Sequence, residues 1–339
     1  MTLAKRRAIL GAIASSPLWL QNMAMADTTT LKISHQFPGG TVNEGDFRDR
    51  MTRMFASKVE ERTKGGLKFT IYPGSSLMKT NSQFAAMRKG ALDLSLVPLS
   101  YAGNEVPEVN IGLMPGLVTS YEQGYNWKNA EIGKELTRIL YDKGVIIVSW
   151  IWQAGGVASR TVPIVSPEDA KGLKIRGGSR EMDLILKAAG AAVISLPSNE
   201  IYAAMQTGAM DAALTSSTSL ISFRLEEVSK ALTSGRGQAY WFMLEPLMIS
   251  RAVFEKLSKE HQSAIMAVGE EIETFGRVAA QLDDAVVANI FKRAGSKVVD
   301  LSPHVVKKWQ ALARTTAWKD YAEHNENCAK LLKLAEKTL

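Results

Sequence analysis

Only one cysteine, Cys328, occurs in the 339 residues. A lone thiol makes no intrachain disulfide and no paired-cysteine metal site, so a large hydrophobic core has to hold the chain together. Histidine is sparse as well. His35, His261, His304 and His324 stand far apart in different expected elements, and no H-E-x-x-H or Cys/His spacing is present. No metal and no cofactor is therefore expected. The chain also lacks a G-x-S-x-G elbow and a P-loop. Its "GGSRE" (177–181) has neither the third glycine nor the partner acid of a dinucleotide fingerprint. These absences favour binding over catalysis, with no catalytic residue assigned. Lys and Arg exceed Asp and Glu, for a net charge of +7, but they are scattered and form no basic stripe, which argues against a nucleic-acid partner.

What is present is ordinary for a globular protein: 46% hydrophobic and 22% charged residues, over a length that suits about two domains. The N-terminus is a separate object. Lys5, Arg6 and Arg7 precede the apolar run Ala8–Leu20, which is well short of the ~20 residues that span a bilayer, and "AMA" (24–26) supplies a small-x-small cleavage pattern. Residues 1–26 are expected to be a cleaved signal peptide that exports the rest to the periplasm. The Arg6-Arg7 pair partly matches a twin-arginine signal, leaving the export route open.

Along the remainder, strands and helices alternate. "LKISHQF" (31–37), "LKFTIYP" (67–73) and "ALDLSLVPLS" (91–100) read as strands, separated by helices over 47–64 and 81–90. This βαβαβ rhythm implies an α/β domain with a largely parallel sheet. A second α/β unit starts at "GLKIR" (172–176) and continues through a helix (180–190), "AVISLP", a helix (198–208) and "MDAALTSS" (210–217). A helical pattern over about 258–294 is long enough to cross between domains.

"GLKIRGGSREMD" (172–183) carries the clearest chemical hint. A strand delivers Arg176 to its carboxyl end, where ligands sit in open α/β sheets. The guanidinium fork donates two parallel hydrogen bonds to a carboxylate. Gly177 and Gly178 keep the backbone approachable, and Ser179 is placed to cap the next helix. Spacing alone leaves Arg176 open between a carboxylate clamp and a surface residue paired with an acid.

"SPEDAKGLKIRGGS" followed by "AAVISLPSNEIYAAMQTGAMDAALTSS" resembles the solute-binding proteins of tripartite ATP-independent periplasmic (TRAP) transporters, the DctP-like family. Asp169, Lys171, Gly172, Leu173, Lys174 and Arg176 match one motif of that family. Glu200, Tyr202, Ala204, Gln206, Gly208 and Asp211 match a second. The resemblance covers essentially the mature chain. It implies a type II-like, two-lobed periplasmic binding protein with mixed sheets flanked by helices and a long helix linking the lobes. The implied boundaries are 27–153 plus about 244–283 for lobe I, and 154–243 plus about 284–339 for lobe II.

The resemblance further implies that the lobes close on an organic acid, with Arg176 on its carboxylate, and that a membrane permease of two integral subunits receives it. Thr215, followed by Ser216, stands near a position where members tend to carry asparagine. Gly155 or Gly156 stands where a second arginine often lies, with Arg160 displaced by several residues. That loss argues for a monocarboxylate with an apolar or aromatic body, walled by Tyr101, Trp152, Trp241 and Phe242, with Gln153 as a further ligand-binding residue. A monomer is expected. A periplasmic enzyme or a sensory receptor on the same scaffold is the alternative.

Overall fold

A computed structural model describes residues 28–339, so the expected signal peptide and its cleavage site lie outside the described residues. The alternating "LKISH" forms part of β1 (Thr29–His35), which is flanked in a first sheet by β2 (Leu67–Tyr72) and β3 (Leu94–Leu96). Two later strands, β12 (Leu247–Ser250) and β4 (Val145–Ser149), complete the order β2-β1-β3-β12-β4. A second sheet has the order β13-β10-β6-β9-β7-β8. Its strands are β6 (Gly155–Ser159), β7 (Lys174–Arg176), β8 (Ala192–Ile194), β9 (Ala212–Ser216), β10 (Ala231–Ser234) and β13 (Lys297–Asp300).

Each sheet is parallel but for one strand, and the two exceptions have the same origin. β1 runs parallel to β2 and β3, while β12 is antiparallel to both its neighbours. β7 runs parallel to β8 and β9, while β6 is antiparallel to both β9 and β10. β6 is where the chain first enters the second sheet from the first, and β12 is where it returns. The two crossings touch in a short antiparallel ribbon of β5 (Trp152–Gln153) and β11 (Met243–Leu244). Alternation and βα periodicity find most strands of both sheets. They miss β6 ("GGVAS") and β10 ("ALTS"), short runs with too few large apolar side chains to show a period.

The long helix Lys259–Arg293 is a third link. Its 35 residues span about 50 Å. It packs on helix Phe47–Arg62 and β4 of the first sheet, and on helix Ser217–Ser222, β10 and β13 of the second. The helical tail closes over both units. Trp309 stacks on Tyr240 at 4.7 Å, and the Trp318 indole donates to the Pro115 carbonyl at 2.7 Å. The helix Glu326–Glu336 lies against Pro107–Leu113 and the helix Glu131–Asp142. The architecture is thus a two-lobed mixed α/β fold with helices flanking both sheets. Among the described residues no helix is long and apolar enough to cross a membrane.

Candidate functional site

Arg176 ends β7 and is 4% exposed. Its Nε donates to the Leu196 carbonyl at 3.0 Å, Nη1 to the Leu214 carbonyl at 2.7 Å and Nη2 to the Tyr101 hydroxyl at 2.9 Å. All three acceptors are neutral, and Arg176 makes no ion pair among the described residues. A guanidinium has five N–H groups, so one remains on each terminal nitrogen, the number a bidentate carboxylate takes. Tyr101 Oη also accepts from the Ser198 N–H at 3.0 Å. With both lone pairs engaged, its own proton is left to donate.

The backbone beside the guanidinium has to be glycine. Gly178 sits at φ +92°, and a Cβ there would come within 2.7 Å of Arg176 Nη1. A Cβ on Gly177 would meet Asp183 Oδ1 at 2.4 Å. Ser179 caps the following helix, Arg180–Ala188, accepting from the Met182 N–H at 3.1 Å. Its hydroxyl also reaches across to the Leu113 carbonyl at 3.3 Å, while Ser100 Oγ donates to the Gly178 carbonyl at 3.3 Å. The two sides therefore meet around Arg176. The space enclosed there is about 10 Å³, room for about one water, and is walled by Tyr101, Leu113, Leu214, Thr215, Trp241 and Met243 among others. A wider groove of about 500 Å³ opens beside it, shared between Asn81, Ser100, Tyr101 and Asn104 on one side and Asp183 and Lys187 on the other.

Of the residues expected from sequence, Tyr101, Arg176, Thr215 and Trp241 come together at this cavity. The others fall elsewhere, each for a geometric reason. Side chains alternate along extended backbone, so Trp241 and Met243 face the cavity while Phe242 points away, edge-on to Tyr121 at 4.9 Å. Trp152 is fully buried against Trp127 at 5.2 Å, and Gln153 donates to Glu245. Ser216 is spent as the cap of the helix Ser217–Ser222, accepting from the Ser219 N–H at 3.2 Å. Arg160 lies past the opposite end of β6. Because β6 runs antiparallel to β9, Gly155 is level with Ser216 at the site while Ser159 is level with Ala212, roughly 13 Å away along the strand. Arg160 lines a different surface hollow with Tyr202, Gln206 and Glu227.

Sequence reading missed Arg48, a second buried arginine close by. It lies in the first turn of the helix Phe47–Arg62 and is fully buried. Asp46 takes its Nε at 2.9 Å and Nη2 at 2.7 Å, Glu245 takes Nη1 at 3.2 Å, and Ser219, which also lines the Arg176 cavity, takes Nη1 at 3.0 Å. Its guanidinium stacks 3.6 Å above the Phe37 ring. Burial opposes the charge of Arg48, but Asp46 and Glu245 more than offset it, and the pKa is raised. Burial also pushes the Glu245 carboxyl up to about 7 against the pull of Arg48. The one local sign of this cluster was an acid at the helix cap two residues before the arginine.

Residues 39–324 match the model of the family described as bacterial extracellular solute-binding protein, family 7. A solute-binding protein of Albidiferax ferrireducens is 68% identical over 97% of both chains. A crystal structure of a TRAP periplasmic solute-binding protein from Rhodoferax ferrireducens, with bound malonate, is similar at 70% identity and a TM-score of 0.90, covering 91% of this chain and 98% of that one. More distantly, the 2,3-diketo-L-gulonate-binding periplasmic protein of Escherichia coli is 26% identical over 83% of this chain and 86% of its own length.

Proposed function

The chain belongs to family 7 of the bacterial extracellular solute-binding proteins, the binding proteins of TRAP transporters, and we propose that it captures a short organic acid on Arg176 in the periplasm and hands it to a membrane permease. One observation carries this reading. Arg176 is a buried cation held in place by three neutral acceptors, with two N–H groups uncommitted and no carboxylate of its own. A buried charge without a partner is costly, and an incoming carboxylate removes that cost. Thr215 and the Tyr101 hydroxyl supply further polar contacts. The malonate held by the relative at 70% identity supports an acid of few carbons.

With about 10 Å³ of free space, even a three-carbon acid needs the lobes to part. The proposed hinge is the β5–β11 ribbon with the long helix, which divides the chain into 27–153 plus about 244–283 and 154–243 plus about 284–339. The protein acts as a binder and returns the acid unchanged. Mass spectrometry of the acid after incubation with pure protein checks that point.

A second reading keeps the ligand monocarboxylic with an apolar body. It is favoured by the wall opposite Arg176. A Cβ on Gly155 would lie 2.5 Å from the Trp241 ring, so Trp241 fills the space where a longer side chain at 155 would reach. Leu113 and Met243 extend that apolar wall.

Calorimetric titration of malonate, propionate and phenylacetate separates the two. The short-acid reading expects malonate to bind more tightly than phenylacetate and the reverse order selects the second, with propionate, which is both short and monocarboxylic, as the reference. In either case Arg176→Ala weakens the best acid by roughly 100-fold or more. Retention of wild-type affinity removes Arg176 as the clamp.

A further inference from the structure

The diglycine that clears space for Arg176 also separates it from a carboxyl. Asp183 stands in the first turn of the helix Arg180–Ala188. Its Oδ1 is sealed from solvent and has no ion pair or side-chain hydrogen bond among the described residues, only the pull of the Gly177 N–H, and it lies so close to Gly177 that a Cβ there would collide with it. The other carboxylate on the groove, Glu105, pairs with Arg88 at 3.0 Å. On the helix of Asp183, Arg180 is committed to Asp320, and Lys187 is exposed one turn on. From β7 the facing groups are Arg176 and the Gly177 backbone, and across the groove the facing polar side chains include Tyr101, Asn104 and Asn81. The site thus holds an unpaired cation and an unpaired acid, kept apart by two glycines.

Resting on the reading of Arg176 as the clamp, we propose that Asp183 is the charge filter of the site: its carboxylate penalises each negative charge on the bound acid, discriminating against dianions and coupling capture to proton uptake. The direction follows from Coulomb's law in a half-desolvated groove. A ligand anion at Arg176 removes the compensation Asp183 receives and adds repulsion, so the carboxyl becomes a weaker acid on binding. Burial already pushes it up to about 6 against the pull of Arg176, Lys187 and the Gly177 N–H. Affinity for an anion therefore falls as pH rises through that region.

The test uses the full chain and two probes of equal carbon number, malonate and propionate, titrated into wild type and the near-isosteric Asp183→Asn. At pH 7.5 the variant is expected to bind malonate about tenfold more tightly, with a smaller gain of about threefold for propionate. At pH 6.5, where propionate is ionised, titrations in buffers of different ionisation enthalpy should show fractional proton uptake by wild type that Asp183→Asn lacks. Unchanged or weaker malonate binding by the variant, or uptake that survives it, overturns the filter. Arg176→Ala in parallel keeps the two readings apart. If it loses both acids while Asp183→Asn changes nothing, only the filter fails; if it binds both acids normally, or if wild type binds neither, the clamp fails and the filter with it.

Discussion

Two arginines are buried within one serine of each other, and they are solvated in opposite ways. Arg48 spends its guanidinium on a carboxylate at each end, on three serine hydroxyls and on the face of Phe37. Arg176 is held as firmly, but by two backbone carbonyls and a phenol. Both are among the least exposed charged side chains of the protein, so burial does not separate them. The charge balance does. Arg48 is internally neutralised and joins the helix Phe47–Arg62 of one lobe to Ser216, Ser219 and Ser222 of the other. Arg176 has its geometry fixed and its charge left over, which is what an anion receptor needs.

Arg48 carries the larger expected loss of stability. Replacing it with alanine strands Asp46 and Glu245 in a site where their side chains are fully buried. Removal of one partner from a buried charge cluster costs about 3–5 kcal/mol. Arg48→Ala is expected to lose that much in guanidinium chloride unfolding, whereas Arg176→Ala loses ligand affinity with a smaller loss of stability. Equal stability losses in the two variants would erase the distinction between them.

A smaller effect sharpens the role of the backbone. Gly172 and Gly178 both sit at positive φ, +78° and +92°, but nothing lies within 4 Å of a Cβ on Gly172, while Arg176 Nη1 would be 2.7 Å from one on Gly178. Alanine at either position pays the left-handed strain of about 1 kcal/mol. Only Gly178→Ala should also displace the guanidinium, weakening the bound acid by about tenfold, while Gly172→Ala binds as wild type. Matching affinities in the two variants would mean that the clamp tolerates crowding.

What was legible in the sequence follows the same division. The strand end at Arg176, the pair of glycines and the capping serine are consecutive, so local chemistry announces them. Arg48 sits among Arg50 and Arg53 on an amphipathic helix and reads like them as a surface charge. Its burial is decided by Ser216, Ser219 and Ser222, 168 to 174 positions away. The aromatic wall was legible only in part, with Tyr101 and Trp241 at the cavity and Trp152 and Phe242 away from it, for a different reason. Knowing that Trp241 and Phe242 flank a crossing does not say which of them faces the cleft, and a shift of one residue in the pleat exchanges them. The reversed strands β6 and β12 belong to the same class, since their direction is set by the return of the chain between lobes and by no local pattern.

Arg160 gives the smallest expected effect and tests that lesson most directly. In sequence it lies close after Gly155 and Gly156 and looks like a displaced partner for Arg176. In the sheet, each residue of β6 carries the chain about 3.3 Å further from the cleft, and Arg160 emerges beside Gly208 and Tyr202 at the far edge. Its charge there is outward and solvent-screened over more than a Debye length of about 8–10 Å. Arg160→Ala is therefore expected to change the affinity for malonate or propionate by less than about twofold at physiological salt, measured by the same calorimetry as Arg176→Ala. A loss of tenfold or more would mean that the charge of β6 reaches the ligand after all, and that the far ends of the strands, as well as their carboxyl ends, shape what the cleft accepts.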